Sequence, residues 1–451
     1  MAASAKLMKM LKRLVGQSPA DQTEALLVTE DSSLTRFTPA SVHQHVAESH
    51  QTLILRVVMG KQVVVVTTNL LQPSSLKNMP QKAVSLAKLS PPNPDFISLP
   101  LPRPITQAET FHERIRRLTP GRKVKAIQEV MGLAQEKGAS VSGAFSHGIV
   151  QVAVLNSLGV EAYQQYSDLC LHLIAQNEHG SGYASFVSRD PDKLQIETLA
   201  QSALSKLSTE RPVEISPGEY EVVLGPDATH EFLAFMGYLG FHALAVQEGR
   251  SFLGNHFGEK LLDEKVTIYD YGLDPSGLQV PFDFEGVPKR KVVFFDKGVA
   301  RDITYDSLTA GREKKESTGH ALMPPSTEGP IPMNLIMQEG TSSLDQMVRS
   351  VRKGVYVTRF HYTNVVEPMK AVITGMTRDG TFWIEDGEVR NPLKNLRFTE
   401  SILKALSSVK AISRERKICT SGSVYGRRFI TGTVAPALRI EGFNFSGVSS
   451  F

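Results

Sequence analysis

The amino-acid sequence predicts an α+β fold, in which an N-terminal mixed α/β domain precedes a C-terminal domain built on a large antiparallel β-sheet. In the first half, segments with helical spacing of apolar residues alternate with segments of two-residue period. Glycine-containing turn dipeptides accumulate in the second half and are typical of hairpins. The 451 residues suggest two or three domains at roughly 150 residues each. A change of composition at 208–218 predicts domains over 1–210 and 211–451.

The N-terminal domain is predicted to open with an amphipathic helix over 3–15, whose apolar side docks on the rest of the domain. Two strands over 52–58 and 61–69 follow, and the glycine-containing dipeptide between them has the spacing of a hairpin turn. A proline-rich stretch over 90–104 breaks regular structure and is interpreted as an ordered crossing segment or a linker.

The rest of this domain is predicted to contain two further helices and three strands. Apolar residues at helical spacing predict a helix over 122–137, and a second helix is predicted to open at Asp192. Strands are predicted over 140–146, 149–157 and 161–176. In the last of these, leucines alternate with other side chains at the two-residue period of a strand.

The C-terminal domain is predicted to be rich in hairpins. A Lys-Gly dipeptide ending at Gly298 marks a turn within 294–300, and an Asp-Gly dipeptide ending at Gly387 marks a turn within 382–390. Both dipeptides suit the positive φ angles of a tight hairpin. The segment 378–382 contains the same Asp-Gly chemistry and is predicted to turn in the same way.

Charge and cysteine content exclude several classes of protein. The 50 basic and 46 acidic residues leave a net charge of +4, which argues against a nucleic-acid binder. No apolar run approaches the ~18 residues that span a bilayer, so no membrane partner is expected. The two cysteines cannot build a disulfide scaffold or an all-cysteine zinc site. Few cysteines and no secretory signal favour the cytoplasm, and Cys170 is interpreted as a small apolar strand residue.

The strongest candidate motif is the segment THEFLAFMGYLGFH, which begins near His230 and Glu231. In zinc peptidases two histidines on adjacent helical turns hold the metal, and a glutamate activates the bound water. Here the positions where a second histidine would stand are Ala234 and Phe235. The next histidine is His242, which a continuous helix would place about 18 Å away. We therefore favour a buried structural helix, with an unusual metal arrangement as the alternative.

Two further groups of residues have a structural and a functional interpretation. Cys419 is predicted to lie in a Gly/Ser-rich loop, RKICTSGSVYG, where a thiolate would be a metal ligand or a nucleophile; an inert buried thiol is the favoured alternative. The acidic loops 270–275 and 281–286 have clustered carboxylates that could bind a hard cation. Their spacing is not that of a calcium loop, and turn or cap roles are favoured.

The order and spacing of many sequence blocks resemble the TldD/PmbA family, also called modulators of DNA gyrase. The resemblance covers most of the chain and is weaker in the N-terminal half. The matching blocks are 217–228, 248–261, 281–313, 317–321, 332–340, 374–402 and 432–447, with weaker matches at 35–46, 156–160 and 180–185.

The resemblance implies a metallopeptidase-related protein. TldD-type chains have a His-Glu-x-x-x-His helix and a C-terminal cysteine that hold zinc, whereas PmbA/TldE-type chains lack that helix motif and pair with the first type. Phe235 stands where the second histidine of the motif would be, and Cys419 lies roughly where the TldD cysteine lies. We therefore expect a PmbA/TldE-like subunit without its own zinc. Its expected partner is a zinc-bearing TldD-like subunit or a second copy, and its expected substrate is a small or unfolded peptide.

Candidate site residues follow from this interpretation. Edge strands of the C-terminal sheet are expected to capture an extended peptide through backbone hydrogen bonds. The candidate substrate-binding residues are Arg250, Ser251, Asp283 and Glu285.

Two other functions stay open at this point. One is a self-sufficient zinc peptidase with Glu231 as the catalytic residue and a rearranged metal site formed by His230, His242 and Cys419. That site would need a helix break at a glycine before His242. The other is a regulatory binding module without a proteolytic role.

Overall fold

The computed structural model describes residues 2–420 and 427–448, and it contains two β-sheets. The first sheet has six antiparallel strands in the order β3-β2-β1-β4-β5-β6. Its strands are β1 (Gln22–Phe37), β2 (Val42–Met59), β3 (Gln62–Thr68), β4 (Ser140–Asn156), β5 (Glu161–Asn177) and β6 (Gly180–Ser188). The helices of this half are α1 (Ala2–Gly16), α2 (Pro73–Leu76), α3 (Met79–Ala87), α4 (Glu113–Arg116), α5 (Pro120–Glu136) and α6 (Ile196–Leu204).

The two faces of the first sheet pack against different layers. Leucines such as Leu27 and Leu171 lie on one face, under the apolar sides of α1, α3, α5 and α6. The alternate residues, among them Val152 and Cys170, lie on the other face and pack against Phe282 of the second half. Because side chains alternate between the faces of a strand, the two-residue period in β5 divides its residues between the helices and the C-terminal half.

Most N-terminal predictions are confirmed, although strand β6 and the helices α2, α3 and α4 were not predicted. The predicted elements differ from the structure in three further respects. The predicted strands 140–146 and 149–157 form the single strand β4. The central strand β1 was not predicted, because its second half is polar and its pattern is not that of a half-buried strand. The helix predicted to open at Asp192 begins instead at Ile196, after a short 3₁₀ turn that includes Asp192.

The second sheet has eleven strands and is mainly antiparallel, which confirms the predicted fold class. Its only parallel pairs among the described residues are β7 with β12 and β11 with β17. The strands are β7 (Gly218–Leu224), β8 (Ile268–Asp270), β9 (Val292–Asp296), β10 (Val299–Ala300), β11 (Leu335–Met337), β12 (Lys353–Glu367), β13 (Val372–Glu385), β14 (Glu388–Pro392), β15 (Leu396–Ser401), β16 (Val409–Cys419) and β17 (Thr433–Val448). The helices are α7 (Pro226–Leu239), α8 (Ala243–Gln247), α9 (Ser307–Arg312), α10 (Leu344–Arg349) and α11 (Ile402–Ser407).

Two of the three predicted turns are tight hairpins. The turns ending at Gly298 and Gly387 have positive φ angles of 78° at both glycines, as their sequences predict. The third prediction was wrong, because 378–382 lies inside β13 and does not reverse the chain. There the register with β12 shifts. Gly380 has a φ of 120°, and a β-carbon at this position would collide with the Thr358 hydroxyl. The Asp-Gly chemistry therefore supports a β-bulge.

Buried ion pairs join the two halves of the chain. The Arg428 guanidinium donates to both carboxylate oxygens of Asp168 on β5, each at 2.7 Å. Both side chains are nearly inaccessible to solvent. Arg56 on β2 pairs with Glu285 of the C-terminal half at 3.0 Å. Within residues 2–420 and 427–448, none of the helices has the length and apolarity needed to cross a lipid bilayer.

We expect Arg428→Met to lower the free energy of unfolding by about 3–5 kcal/mol, because it leaves the buried Asp168 carboxylate without its counter-ion. The matched control is Arg414→Met, which breaks the exposed pair with Glu415 and should change the free energy by less than about 1 kcal/mol. Urea unfolding followed by circular dichroism measures both. Equal effects of the two substitutions would show that the buried pair does not stabilise the domain contact.

Candidate functional site

Helix α7 positions the motif that the sequence singled out. It begins at Pro226, whose fixed φ suits the first helical position, and Asp227 follows in the first turn. Its apolar residues pack against β12 and β17; for example, the ring of Phe232 stacks on Phe360 at 5.7 Å. The helix ends at Leu239. The prediction of a continuous helix as far as His242 was therefore wrong.

His242 lies beyond the end of α7 and has a capping role. Its Nδ1 accepts a hydrogen bond from the backbone N–H of Ala245, and its Nε2 lies 3.1 Å from the carbonyl oxygen of Tyr238. Gly240 ends α7 where a β-carbon would collide with the ring of Phe252. The helix does break at this glycine, as the rearranged metal site would require. The break places His242 at the start of α8 and not beside His230.

Cys419 is the last residue of β16 and is buried, so its predicted place in a loop is corrected. Its sulfur lies 3.8 Å from the carbonyl oxygen of Lys417. Burial raises the pKa of the Cys419 thiol well above its usual range, and the nearby Asp227 carboxylate adds to this. The thiol is therefore protonated at neutral pH. The part of the predicted loop at 421–426 lies outside the described residues.

An ion pair between Lys417 and Asp227 lies at the centre of the candidate site. The Lys417 ammonium donates to Asp227 Oδ2 at 2.6 Å, and the Ser185 hydroxyl donates to Asp227 Oδ1 at 3.2 Å. Burial opposes ionisation of both partners, but their attraction raises the pKa of Lys417 and lowers that of Asp227. Burial also lowers the pKa of His230 to about 4. The Asp227 carboxylate opposes this shift, and the Lys417 ammonium adds to it.

The N-terminal sheet contributes a second hydrogen-bonded group. Tyr183 O–H lies 2.8 Å from His172 Nδ1, and His172 Nε2 lies 2.9 Å from the Cys170 sulfur. The Arg359 guanidinium lies over the Tyr183 ring, 4.3 Å from its centre. The same guanidinium is paired with Asp379, with Nε at 2.8 Å from the carboxylate. The contacts of Arg359 therefore join the N-terminal sheet to β12 and β13.

Between these two groups lies a cavity of about 420 Å³. It is bounded by β4, β5 and β6 on one side and by α7 and β12 on the other. Burial raises the pKa of the Glu231 carboxyl, and the Arg359 guanidinium opposes that shift. The polar side chains that line the cavity include His172, Tyr183, Asp227, His230, Glu231 and Arg359.

The side chains here do not fit a zinc ion. Zinc needs ionised thiolate, neutral imidazole or carboxylate ligands with free lone pairs. The Asp227 carboxylate is taken by the Lys417 ammonium and the Ser185 hydroxyl, and Phe235 provides no ligand atom. Over residues 2–420 and 427–448, no three His, Cys, Asp or Glu side chains are arranged to hold a metal ion.

The candidate substrate-binding residues lie elsewhere in the fold. Arg250 pairs with Glu248 at the surface, and Ser251 donates to the carbonyl oxygen of Gly240 at 2.9 Å. Asp283 accepts three backbone N–H bonds, and Glu285 belongs to the contact with Arg56. These residues lie in turns and at the contact between the halves, and none of them lines the cavity beside α7. Asp283 lines a separate cavity that residues of both halves enclose.

Asp227, Lys417, Tyr183 and Arg359 organise this site but are not among the predicted site residues. Lys417 and Cys419 are two apart on β16, and a strand directs such residues to the same face. Asp227 follows a proline at the start of the predicted helix. These two signals were available in the sequence, whereas the approach of Tyr183 and Arg359 depends on contacts between the two sheets.

Helix α7 contains the His-Glu pair found at the start of zinc-peptidase helices, and it lies within a two-sheet α+β fold. Residues 217–447, about half of the chain, match the PmbA/TldA metallopeptidase C-terminal domain. The chain belongs to this PmbA/TldD family.

Curated relatives and a solved structure agree with this assignment. The chain is 25% identical over 301 residues to a metalloprotease of Methanothermobacter thermautotrophicus, covering 62% of this chain and 65% of the relative. It is 24% identical over 354 residues to the metalloprotease PmbA of Escherichia coli O157:H7, covering 72% of each. The structure of TldE from Thermococcus kodakarensis has the same fold, with a TM-score of 0.86 and 21% identity over 99% of this chain and all of that one. The chain spans 56–65% of the length of the first three curated relatives.

We expect Lys417→Met to destabilise the protein by about 3 kcal/mol at neutral pH, because Asp227 then stays buried without a counter-ion. In the native chain the lowered pKa of Asp227 gives stability that is present above its ordinary pKa and lost as the pH falls through its folded pKa. Without Lys417, burial raises the pKa of Asp227. The free energy of unfolding is then lowered at pH values where the unfolded chain ionises this carboxyl. The loss should therefore be larger at about pH 7 than at about pH 4.5.

Thermal unfolding of both proteins across this pH range measures the difference. The double variant Lys417→Met with Asp227→Asn is the control, since it removes both charges and should recover part of the stability. A loss that does not depend on pH, or no recovery in the double variant, would contradict the role of the ion pair.

Proposed function

We propose that this protein is a PmbA/TldE-like helper subunit, which binds small or unfolded peptides for a zinc-bearing TldD-type partner in the cytoplasm. The observation that carries the proposal is the Lys417–Asp227 ion pair beside His230 and Cys419. The positive charge beside Asp227 is the ammonium group of Lys417, not a metal ion. Phe235 stands where the peptidase helix has its second histidine. In this proposal the cleft beside α7 binds peptide, and the chain binds no metal ion of its own.

Peptide capture is supported by an open strand edge next to the cavity. Strand β12 pairs with β13 over most of its length, but its other neighbour, β7, covers only Gly354–Val357. Beyond that point no described strand pairs with the outer edge. The consecutive residues Arg359 to Tyr362 belong to this open edge and also line the cavity. An extended peptide added here would form backbone hydrogen bonds that do not depend on its sequence.

The purified chain should bind less than one zinc ion per molecule, measured by elemental analysis after incubation with zinc. A relative with the His-Glu-x-x-x-His motif, mixed with this chain, should then cleave peptides faster than either protein alone. Cys419→Ser in this chain should leave the mixture active, because the proposal places the zinc in the partner subunit. Stoichiometric zinc that is lost in Cys419→Ser would instead establish the self-sufficient peptidase.

Edge capture predicts a periodic sensitivity to backbone methylation of the peptide. Alternate N–H groups of an added strand face the sheet edge, and the others face away. We therefore expect N-methylation of either the odd or the even residues of a short peptide to weaken binding about tenfold or more, and the other set to have little effect. Fluorescence anisotropy with both methylated peptides tests this, and the unmodified peptide is the control. Equal effects of the two methylation patterns would exclude strand addition.

A further inference from the structure

The cavity beside α7 contains one carboxylate without a counter-ion. Two acidic residues, Asp227 and Glu231, and one basic residue, Arg359, line the cavity. Asp227 is paired with Lys417, and Arg359 is paired with Asp379. Across residues 2–420 and 427–448, no Lys, Arg or His nitrogen comes within the 4.0 Å of an ion pair to Glu231. The paired charges cancel, so the cavity has a net negative charge at Glu231.

The histidines of the cavity do not change this balance. The pKa values of His172 and His230 are lowered to about 4, first by burial and in both cases also by the Lys417 ammonium. The pKa of His361 is lowered by burial and by Arg359. These rings are neutral at physiological pH. Ionisation of Glu231 is therefore favoured only by the Arg359 guanidinium, which is already paired with Asp379, and by a hydrogen bond from Thr363.

We propose that this cavity binds a primary ammonium group of a captured peptide, with the Glu231 carboxylate as its acceptor. The inference rests on the peptide capture proposed above, because the open edge of β12 leads into the cavity at Arg359 to Tyr362. The ammonium group belongs either to the amino terminus of the peptide or to a lysine side chain. A peptide carboxylate finds no such complement, since the Arg359 guanidinium already binds Asp379 and covers the Tyr183 ring.

The size and walls of the cavity agree with this ligand. Its volume of about 420 Å³ lies near the lower end of the ~300–1,000 Å³ of ligand pockets, which suits one or two terminal residues. Its walls include Ile174 and Phe360, which would contact the aliphatic part of such residues. A hydrogen bond between two charged groups in a partly buried cavity is stronger than one between neutral groups.

The test uses the full-length protein and four labelled versions of one short Ala/Ser peptide. The first has a free amino terminus, and the second is N-acetylated. The third is N-acetylated and contains one lysine, and the fourth has norleucine in place of that lysine. We expect acetylation to weaken binding about tenfold or more in fluorescence anisotropy. If lysine restores binding and norleucine does not, both ammonium sources are accepted; if lysine does not restore it, the amino terminus is the ligand.

Variants of Glu231 tie this effect to the carboxylate. In Glu231→Gln the free and the acetylated peptide should bind alike, because the amide keeps the size of the side chain and removes its charge. Glu231→Asp keeps the charge and should retain part of the preference, which separates loss of charge from loss of folding. The matched control is Glu129→Gln, which makes the same change at an exposed position on α5 and should preserve the preference.

The outcomes distinguish this inference from the proposed function. Equal binding of the free and acetylated peptides to the unmodified protein would overturn the ammonium site and leave peptide capture intact. No binding of any of the peptides would overturn peptide capture and the ammonium site together. A preference for the free peptide that persists in Glu231→Gln would overturn the assignment of Glu231.

Discussion

The site depends on the ion pair between Lys417 and Asp227. A carboxylate removed from water is unfavourable unless a cation compensates it. Here the carboxylate lies in the first turn of α7, where the helix dipole also favours negative charge. The compensating ammonium comes from β16, and a hydroxyl from β6 of the other half completes the contacts. The protein therefore contains its own cation at the point where its two halves meet.

The architecture explains why a cleft forms at this junction. The helices of the N-terminal half cover only one face of its sheet, so the other face needs a second layer. The C-terminal half provides that layer and places α7 and β12 opposite β4, β5 and β6. Where the two layers do not meet, polar side chains of both halves line the remaining space. Ligand sites commonly occur at contacts of this kind between domains.

Local patterns predicted the elements better than they predicted the site. The period of β5 and the turn at Gly387 depend on residues that are neighbours in sequence, so both were confirmed. The end of α7 was predicted only as a condition of the rearranged metal site, since it depends on the ring of Phe252 beside Gly240. The histidine-glutamate pair was recognisable because a known motif contains it. Its neighbours from β6, β12 and β16 approach it only in the folded chain, and no spacing along the sequence indicates them.

The two cysteines give the contact between the halves a chemical reporter. Cys170 belongs to β5 and Cys419 to β16, both are buried, and the pKa of each thiol is raised, that of Cys170 to about 12. Because only the thiolate reacts readily with alkylating reagents, neither sulfur should be modified while the layers stay together. The rate of iodoacetamide labelling would then measure how often the interface opens, without an engineered probe.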